Sequence, residues 1–289
     1  MSLLPSEASE IFRSPPDRLI DVGLGEVAYR KVGTGPDVLF VHGWPVSSAT
    51  FRTLLPFLTD HVTCHLIDLP GAGSSRFAPG TQLSISNHIE SVRRVINELG
   101  FSDVAVVGHD SGGLIARHAV AGDPRLRALG LIDTEQSKGL NWKFRSFLAA
   151  RHLPQFGAAL GWLAGQPRLR RNGFVLGDAF HNRDLIDGEF SEFFLDPLHT
   201  SQVYRDATIS LLRSFDFALV AQLRELHQQI HVPVGLVWGE LDKFFPLKWA
   251  REMVGDFPNA TLDVIKGAGL FSHEERPAEV ASALLPTLT

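Results

Sequence analysis

The stretch Gly108-His109-Asp110-Ser111-Gly112-Gly113 holds the residues best placed to do chemistry. Gly108 and Gly112 stand two residues either side of Asp110, the spacing of a tight turn that pushes one side chain forward, because neighbouring Cβ atoms would collide there. A carboxylate presented in this way can attack an electrophilic carbon and form an ester. An aspartate is ordinarily ionised at neutral pH, so this attack needs no base. Cleaving the resulting ester does need an activated water. Two other readings of the stretch stand beside this one: Ser111 as the nucleophile, and a plain strand-to-helix junction with an aspartate cap.

The elements around this turn read as alternating strands and helices. Val104 to Val107 is a buried strand, and a helix runs from Gly112 towards Ala121. Strands are also expected at Glu26–Val32, Asp37–Val41, Val62–Leu69, Ala128–Asp133, Val232–Trp238 and Ala260–Ile265. Ser86–Leu99 has helical spacing, with Ile89, Val92, Val95, Ile96 and Leu99 on one face. Further helices are expected at Pro246–Val254 and Glu274–Leu284. This alternation predicts an α/β fold with a mostly parallel sheet covered by helices on both faces. The rhythm breaks at Thr134 and resumes near residue 227, giving a core of residues 17–134 and 227–289 and a helical insertion at 135–226. Residues 1–16 contain three prolines and read as a loosely held arm.

Composition narrows the function classes. The 289 residues are 44% hydrophobic and 20% charged, with a net charge of −5, so nothing favours nucleic acid or an anionic membrane as partner. No apolar run is long enough to span a bilayer, and residues 1–13 lack the pattern of a signal peptide. The single cysteine, Cys64, lies in an apolar run and reads as a buried thiol; a cytoplasmic location fits. No cofactor or metal is called for, and the expected partner is a small molecule, with the chain a monomer or homodimer.

From about residue 17 to 287 the chain resembles the α/β-hydrolase superfamily. The motifs that carry the resemblance are His42-Gly43-Trp44-Pro45, Asp68-Leu69-Pro70-Gly71-Ala72-Gly73-Ser74, the Asp110 turn, Trp238-Gly239-Glu240-Leu241-Asp242 and Glu274-Glu275-Arg276-Pro277. With aspartate at the turn, the chain is most similar to the epoxide hydrolases and then to the haloalkane and haloacetate dehalogenases. The resemblance implies Asp110 as nucleophile and the N–H groups of Trp44 and Ser111 as oxyanion hole. It implies Asp242 as the acid that orients a histidine, with Asp133 as the alternative position, and residues 135–226 as a cap over the pocket. Tyr204, in Val203-Tyr204-Arg205, resembles the cap tyrosine that protonates an epoxide oxygen. Trp44, Trp142, Tyr204 and Leu270 are the expected substrate contacts, with Trp162 and His181 as further candidates for the pocket wall. His42, His109 and Asp68 read as structural. Haloalkane dehalogenases carry Asn and Trp where this chain has Trp44 and Ser111, so their halide-holding pair is missing.

The pattern fails at one position. The family places its catalytic histidine seven residues before a proline in the last loop, and counting back from Pro277 gives Leu270. His273 is the nearby candidate to take over. If it cannot reach, the ester could form and then persist, or the chain would be a ligand-binding relative without turnover.

Overall fold

The computed structural model describes residues 3–78, 80–173 and 175–289. Eight strands form one sheet: β1 (Arg18–Asp21), β2 (Glu26–Gly33), β3 (Asp37–Val41), β4 (Thr63–Asp68), β5 (Val104–His109), β6 (Leu126–Ile132), β7 (Val234–Gly239) and β8 (Ala260–Ile265). Their order is β1-β2-β4-β3-β5-β6-β7-β8. Only the β1–β2 and β2–β4 pairs are antiparallel; β4 onwards runs parallel. Strands β4, β5 and β7 are buried at every position, which explains why they read as continuous apolar runs. Strand β8 alternates because it is an edge with one face towards solvent.

Parallel strands end on the same side of a sheet, and the chemistry-bearing loops therefore gather there. Trp44 follows β3, Asp110 follows β5, Asp133 follows β6, Asp242 follows β7 and Leu270 follows β8. Between β6 and β7 the described residues form helices and no strand. Two of these helices, Trp142–Ala150 and Gln202–Arg213, carry Phe144, Phe147, Leu211 and Leu212 onto the end of the sheet. No helix among the described residues is long and apolar enough to cross a membrane.

Two expectations are corrected. Residues Pro5–Arg13 are a helix, not a loose arm. Pro5 starts it, the Leu4 N–H donates to Glu7 Oε2 at 2.8 Å, and Ala8 and Phe12 are buried. Arg13 fastens it to Glu189 and Glu192 of the insertion. The last helix is also not continuous from Glu274. A short turn, Ser272–Glu275, is separated from a Pro277–Leu288 helix at Arg276, because the residue before a proline is driven out of the helical region. Cys64 is buried as expected, and burial pushes its thiol up to about 12.

If the first helix is part of the folded unit, Phe12→Ala should lower stability by about 3–5 kcal/mol, the usual cost of removing a buried aromatic. Urea unfolding checks this; a loss near zero would restore the loose-arm reading.

Candidate active site

Strand β5 delivers the chain to Asp110 in a conformation few residues adopt. Asp110 has φ 51° and ψ −134°, while Ser111 is already the first residue of the Ser111–Val120 helix. Such a backbone costs energy and persists only where its surroundings fix it. Here the Asp110 N–H donates to Asp133 O at 3.1 Å, and Asp110 O accepts from Thr134 Oγ1 at 2.7 Å and from the Gly113 N–H at 2.8 Å. The glycines around it are steric necessities. A Cβ on Gly112 would lie 2.2 Å from Val41 O, and one on Gly43 would lie 2.5 Å from Asp110 Oδ2. The strained apex is therefore Asp110 and not Ser111.

The carboxylate is held in a definite orientation. The Trp44 N–H donates to Asp110 Oδ2 at 2.8 Å, and the Ser111 N–H also bonds to this side chain. One carboxylate oxygen thus already occupies the place where an ester carbonyl would sit, and the other remains for attack. The sequence assigned Trp44 and Ser111 to this role by resemblance, and the structure brings both N–H groups onto Asp110.

Around Asp110 the structure gathers more acid than the sequence reading expected. Asp133, Glu135 and Asp242 are all buried with it. Burial holds the Asp110 carboxyl well above the usual aspartate range, the Glu135 charge adds to this, and the Ser111 and Trp44 N–H groups oppose it. Asp110 is thus not the freely ionised carboxylate expected from its type. Glu135 was missed altogether. Burial raises its carboxyl too, against the pull of Arg117. Arg117 is fully buried and donates to Glu135 O at 2.8 Å and to Thr134 Oγ1 at 3.0 Å. The available signal was three polar residues in a row, Asp133-Thr134-Glu135, at the end of an apolar strand.

The histidine question has a geometric answer. Leu270 is 7% exposed, and its carbonyl accepts from His109 Nε2 at 3.0 Å. Asp242 Oδ1 accepts the N–H groups of Phe244 and Phe245 at 2.7 and 3.0 Å, whereas its Oδ2 is buried with no hydrogen-bond partner among the described residues. An acid that would orient a histidine therefore has a free oxygen and no histidine to take it. Burial lifts Asp242 to about 7. Asp133 does not share this condition: Gly239 N donates to its Oδ1 at 2.7 Å and Ser272 Oγ bonds its Oδ2.

His273, expected as the possible substitute base, is engaged elsewhere. It is fully buried, with Nε2 2.7 Å from Thr50 Oγ1 and its ring packed 4.3 Å from that of His109. Its pKa lies well below the ordinary histidine value because of burial, then His109 and Arg52. Neither Asp110 nor Asp242 is among its hydrogen-bond partners. These contacts with Thr50 and His109 correct its assignment as base.

A cavity of about 30 Å³ adjoins Asp110, lined by Trp44, Ile85, Ser111, Glu135, Phe144 and Phe215 among others. Three expected contacts, Tyr204, Trp142 and Leu270, are absent from its wall. The Tyr204 hydroxyl donates to Pro45 O at 3.2 Å, beside the cavity lined by His42, His88 and Ala207, so it is not poised over Asp110. Trp142 is 77% exposed and borders an open groove with Lys143, Asp178 and Asp242. Trp162 and His181 are exposed as well. Trp44 does line the cavity, but its indole N–H donates to Thr208 O at 2.9 Å. His42, His109 and Asp68 are structural, as expected: His42 Nε2 accepts the Leu69 N–H, and Asp68 bonds Ser48, Ser74 and Arg30.

The fold and this arrangement of loops are those of a hydrolase class, and sequence comparison agrees. A profile described as "Alpha/beta hydrolase family" matches residues 38–283, and the chain belongs to that family. Among curated relatives, "Uncharacterized hydrolase YugF" of Bacillus subtilis is 25% identical over 238 residues, covering 82% of this chain and 84% of that protein. A pimeloyl-[acyl-carrier protein] methyl ester esterase of Chromobacterium violaceum is 25% identical over 248 residues, covering 84% and 92%. Among solved structures, an alpha/beta hydrolase fold protein from Burkholderia ambifaria superposes with TM-score 0.77 at 21% identity over 93% of this chain and 97% of that one. The epoxide hydrolase CorEH gives TM-score 0.77 at 20% identity over the same shares. These two likenesses establish the α/β-hydrolase fold.

The raised Asp242 carboxyl makes a stability prediction with a definite sign. Between its unfolded value of 3.8 and about 7 in the fold, the unfolded chain releases a proton that the folded chain retains. Stability from this group is therefore complete below pH 3.8 and is lost as the pH rises towards 7. Asn cannot titrate, so Asp242→Asn should improve relative to the parent by on the order of 2 kcal/mol between about pH 4.5 and about pH 8. Urea unfolding at both pH values checks this, and an unchanged difference would contradict it.

Proposed function

We propose that this protein is a hydrolase that opens small, largely apolar epoxides through an ester on Asp110. The observation that carries this reading is the Asp110 carboxylate itself, at the strained apex with Oδ2 on the Trp44 N–H at 2.8 Å. That geometry leaves Oδ1 to attack carbon and supplies an oxyanion hole for the second step. Phe144, Phe147, Leu211, Leu212 and Phe215 in the wall favour an apolar substrate, and the volume of about 30 Å³ favours a small one. Haloalkanes are a weaker match, because the Trp44 indole N–H is taken by Thr208 O and cannot hold a halide. A second reading, ligand binding without turnover, is favoured by Leu270 and the unpartnered Asp242 Oδ2.

Intact-protein mass spectrometry on samples quenched early after addition of propylene oxide or butene oxide tests the reading. An adduct of the epoxide's mass is expected, with none in Asp110→Asn. Binding that shifts the melting temperature of both proteins equally, without adduct or diol, would support the second reading instead. Leu270→His should raise turnover at least about tenfold, since it restores a base at the position where the family register expects one. Steady-state diol formation measures this; no gain would mean that another group already activates the water.

A further inference from the structure

We propose that Glu135 is the proton-transferring catalytic residue of this site, acting with Asp110 as a two-carboxyl pair in place of the missing histidine. This rests on the reading of Asp110 as nucleophile.

Glu135 is fully buried and lines the same cavity as Asp110 and Ser111. Its Oε2 is anchored 3.0 Å from Thr134 Oγ1, the hydroxyl that also holds Asp110 O. Its Oε1 is buried with no hydrogen-bond partner among the described residues. Ser111 Oγ is likewise unpartnered, and it borders the same cavity. The cavity's volume of about 30 Å³ exceeds the roughly 10–15 Å³ a cavity must offer to hold one water. The cavity thus has room for one water and two polar atoms to hold it, beside the carbon that water must attack.

The surroundings of Glu135 suit a group that both gives and takes a proton. Burial favours the neutral acid, whereas the Arg117 guanidinium, bonded to Glu135 O and Thr134 Oγ1, favours the carboxylate. Asp110, Asp133, Asp242, Arg117 and His227 are the other titratable or charged groups of this neighbourhood, His227 being bonded to Arg117.

The two steps balance. In the first, Asp110 Oδ1 bonds to an epoxide carbon as its C–O bond breaks, and the neutral Glu135 protonates the departing oxygen, giving a hydroxyalkyl ester. In the second, the Glu135 carboxylate takes one proton from water as the water oxygen adds to the ester carbonyl, whose oxygen is held by the Trp44 and Ser111 N–H groups. Collapse breaks the alkyl ester bond to the carbonyl carbon. The departing oxygen takes the remaining hydrogen of the water and becomes the second hydroxyl of the diol. Asp110 is again a carboxylate and Glu135 again an acid.

The test compares the parent protein with Glu135→Gln, Glu135→Asp and Asp110→Asn, using propylene oxide and following adduct mass and diol together across pH. Glu135→Gln should keep a melting transition like the parent's, accumulate the ester and form diol about 100-fold more slowly. Glu135→Asp should recover part of the turnover. Ester formation in the parent should fall at both pH extremes. In Glu135→Gln the alkaline fall should vanish, because Gln has no proton to lose, while the acid limb set by Asp110 should remain. A parent that accumulates ester as fully as Glu135→Gln would overturn the role of Glu135 while leaving Asp110 as nucleophile. A Glu135→Gln protein with turnover and pH profile unchanged would do the same. Neither adduct nor diol in any variant would remove the Asp110 reading, and this proposal with it.

Discussion

Burial of several carboxyl groups at one end of a parallel sheet, with no histidine among them, is the constraint to which the rest of the site answers. Asp110, Asp133, Glu135 and Asp242 sit within the loops after β5, β6 and β7. A buried anion needs hydrogen bonds, a cation or a proton. Asp133 is satisfied by Gly239 and Ser272, and Asp110 by the Trp44 and Ser111 N–H groups. Among the described residues, Asp242 and Glu135 each keep one oxygen without a partner. Leu270, at the position where the family register expects a histidine, offers Asp242 no hydrogen-bonding side chain. Arg117 is the one buried cation near Glu135 among the described residues, and it bonds the Glu135 main chain and Thr134 instead of its carboxylate.

The turn at Asp110 is bound up with this constraint. The positive φ brings the carboxylate against the end of β3, where Gly43 leaves room for it. The same turn directs Asp110 O to Thr134 Oγ1, and Thr134 in turn fixes Glu135 Oε2. The Asp110 main chain and the Glu135 carboxyl are therefore both held by one hydroxyl. Phe144, Phe147, Leu211 and Leu212 from the insertion add an apolar wall beside these groups.

Much of this was legible in the sequence. The parallel strands announced themselves as apolar runs, β8 spanned the same residues as expected, and the glycine spacing set Asp110 at the apex. The register from Pro277 marks Leu270 as the anomaly from sequence alone. What stayed hidden depended on packing between distant segments. The Pro5–Arg13 helix is stabilised by Glu189 and Glu192, far away in the chain. His273 is one residue type with two possible destinations, and only the contact with Thr50 decides between them. Tyr204 matched a family context, yet its hydroxyl is bound by the carbonyl of Pro45. Glu135 carried no motif, and its placement follows from the path of the chain after β6.

The most direct test of the central claim is a single turnover of a small epoxide in heavy-oxygen water, followed by mass analysis of the diol and of the peptide containing Asp110. Attack by Asp110 on carbon puts the label into the Asp110 carboxyl and leaves the first diol unlabelled. Label in the diol with an unlabelled Asp110 peptide would mean that water attacks the epoxide directly, and would contradict the account.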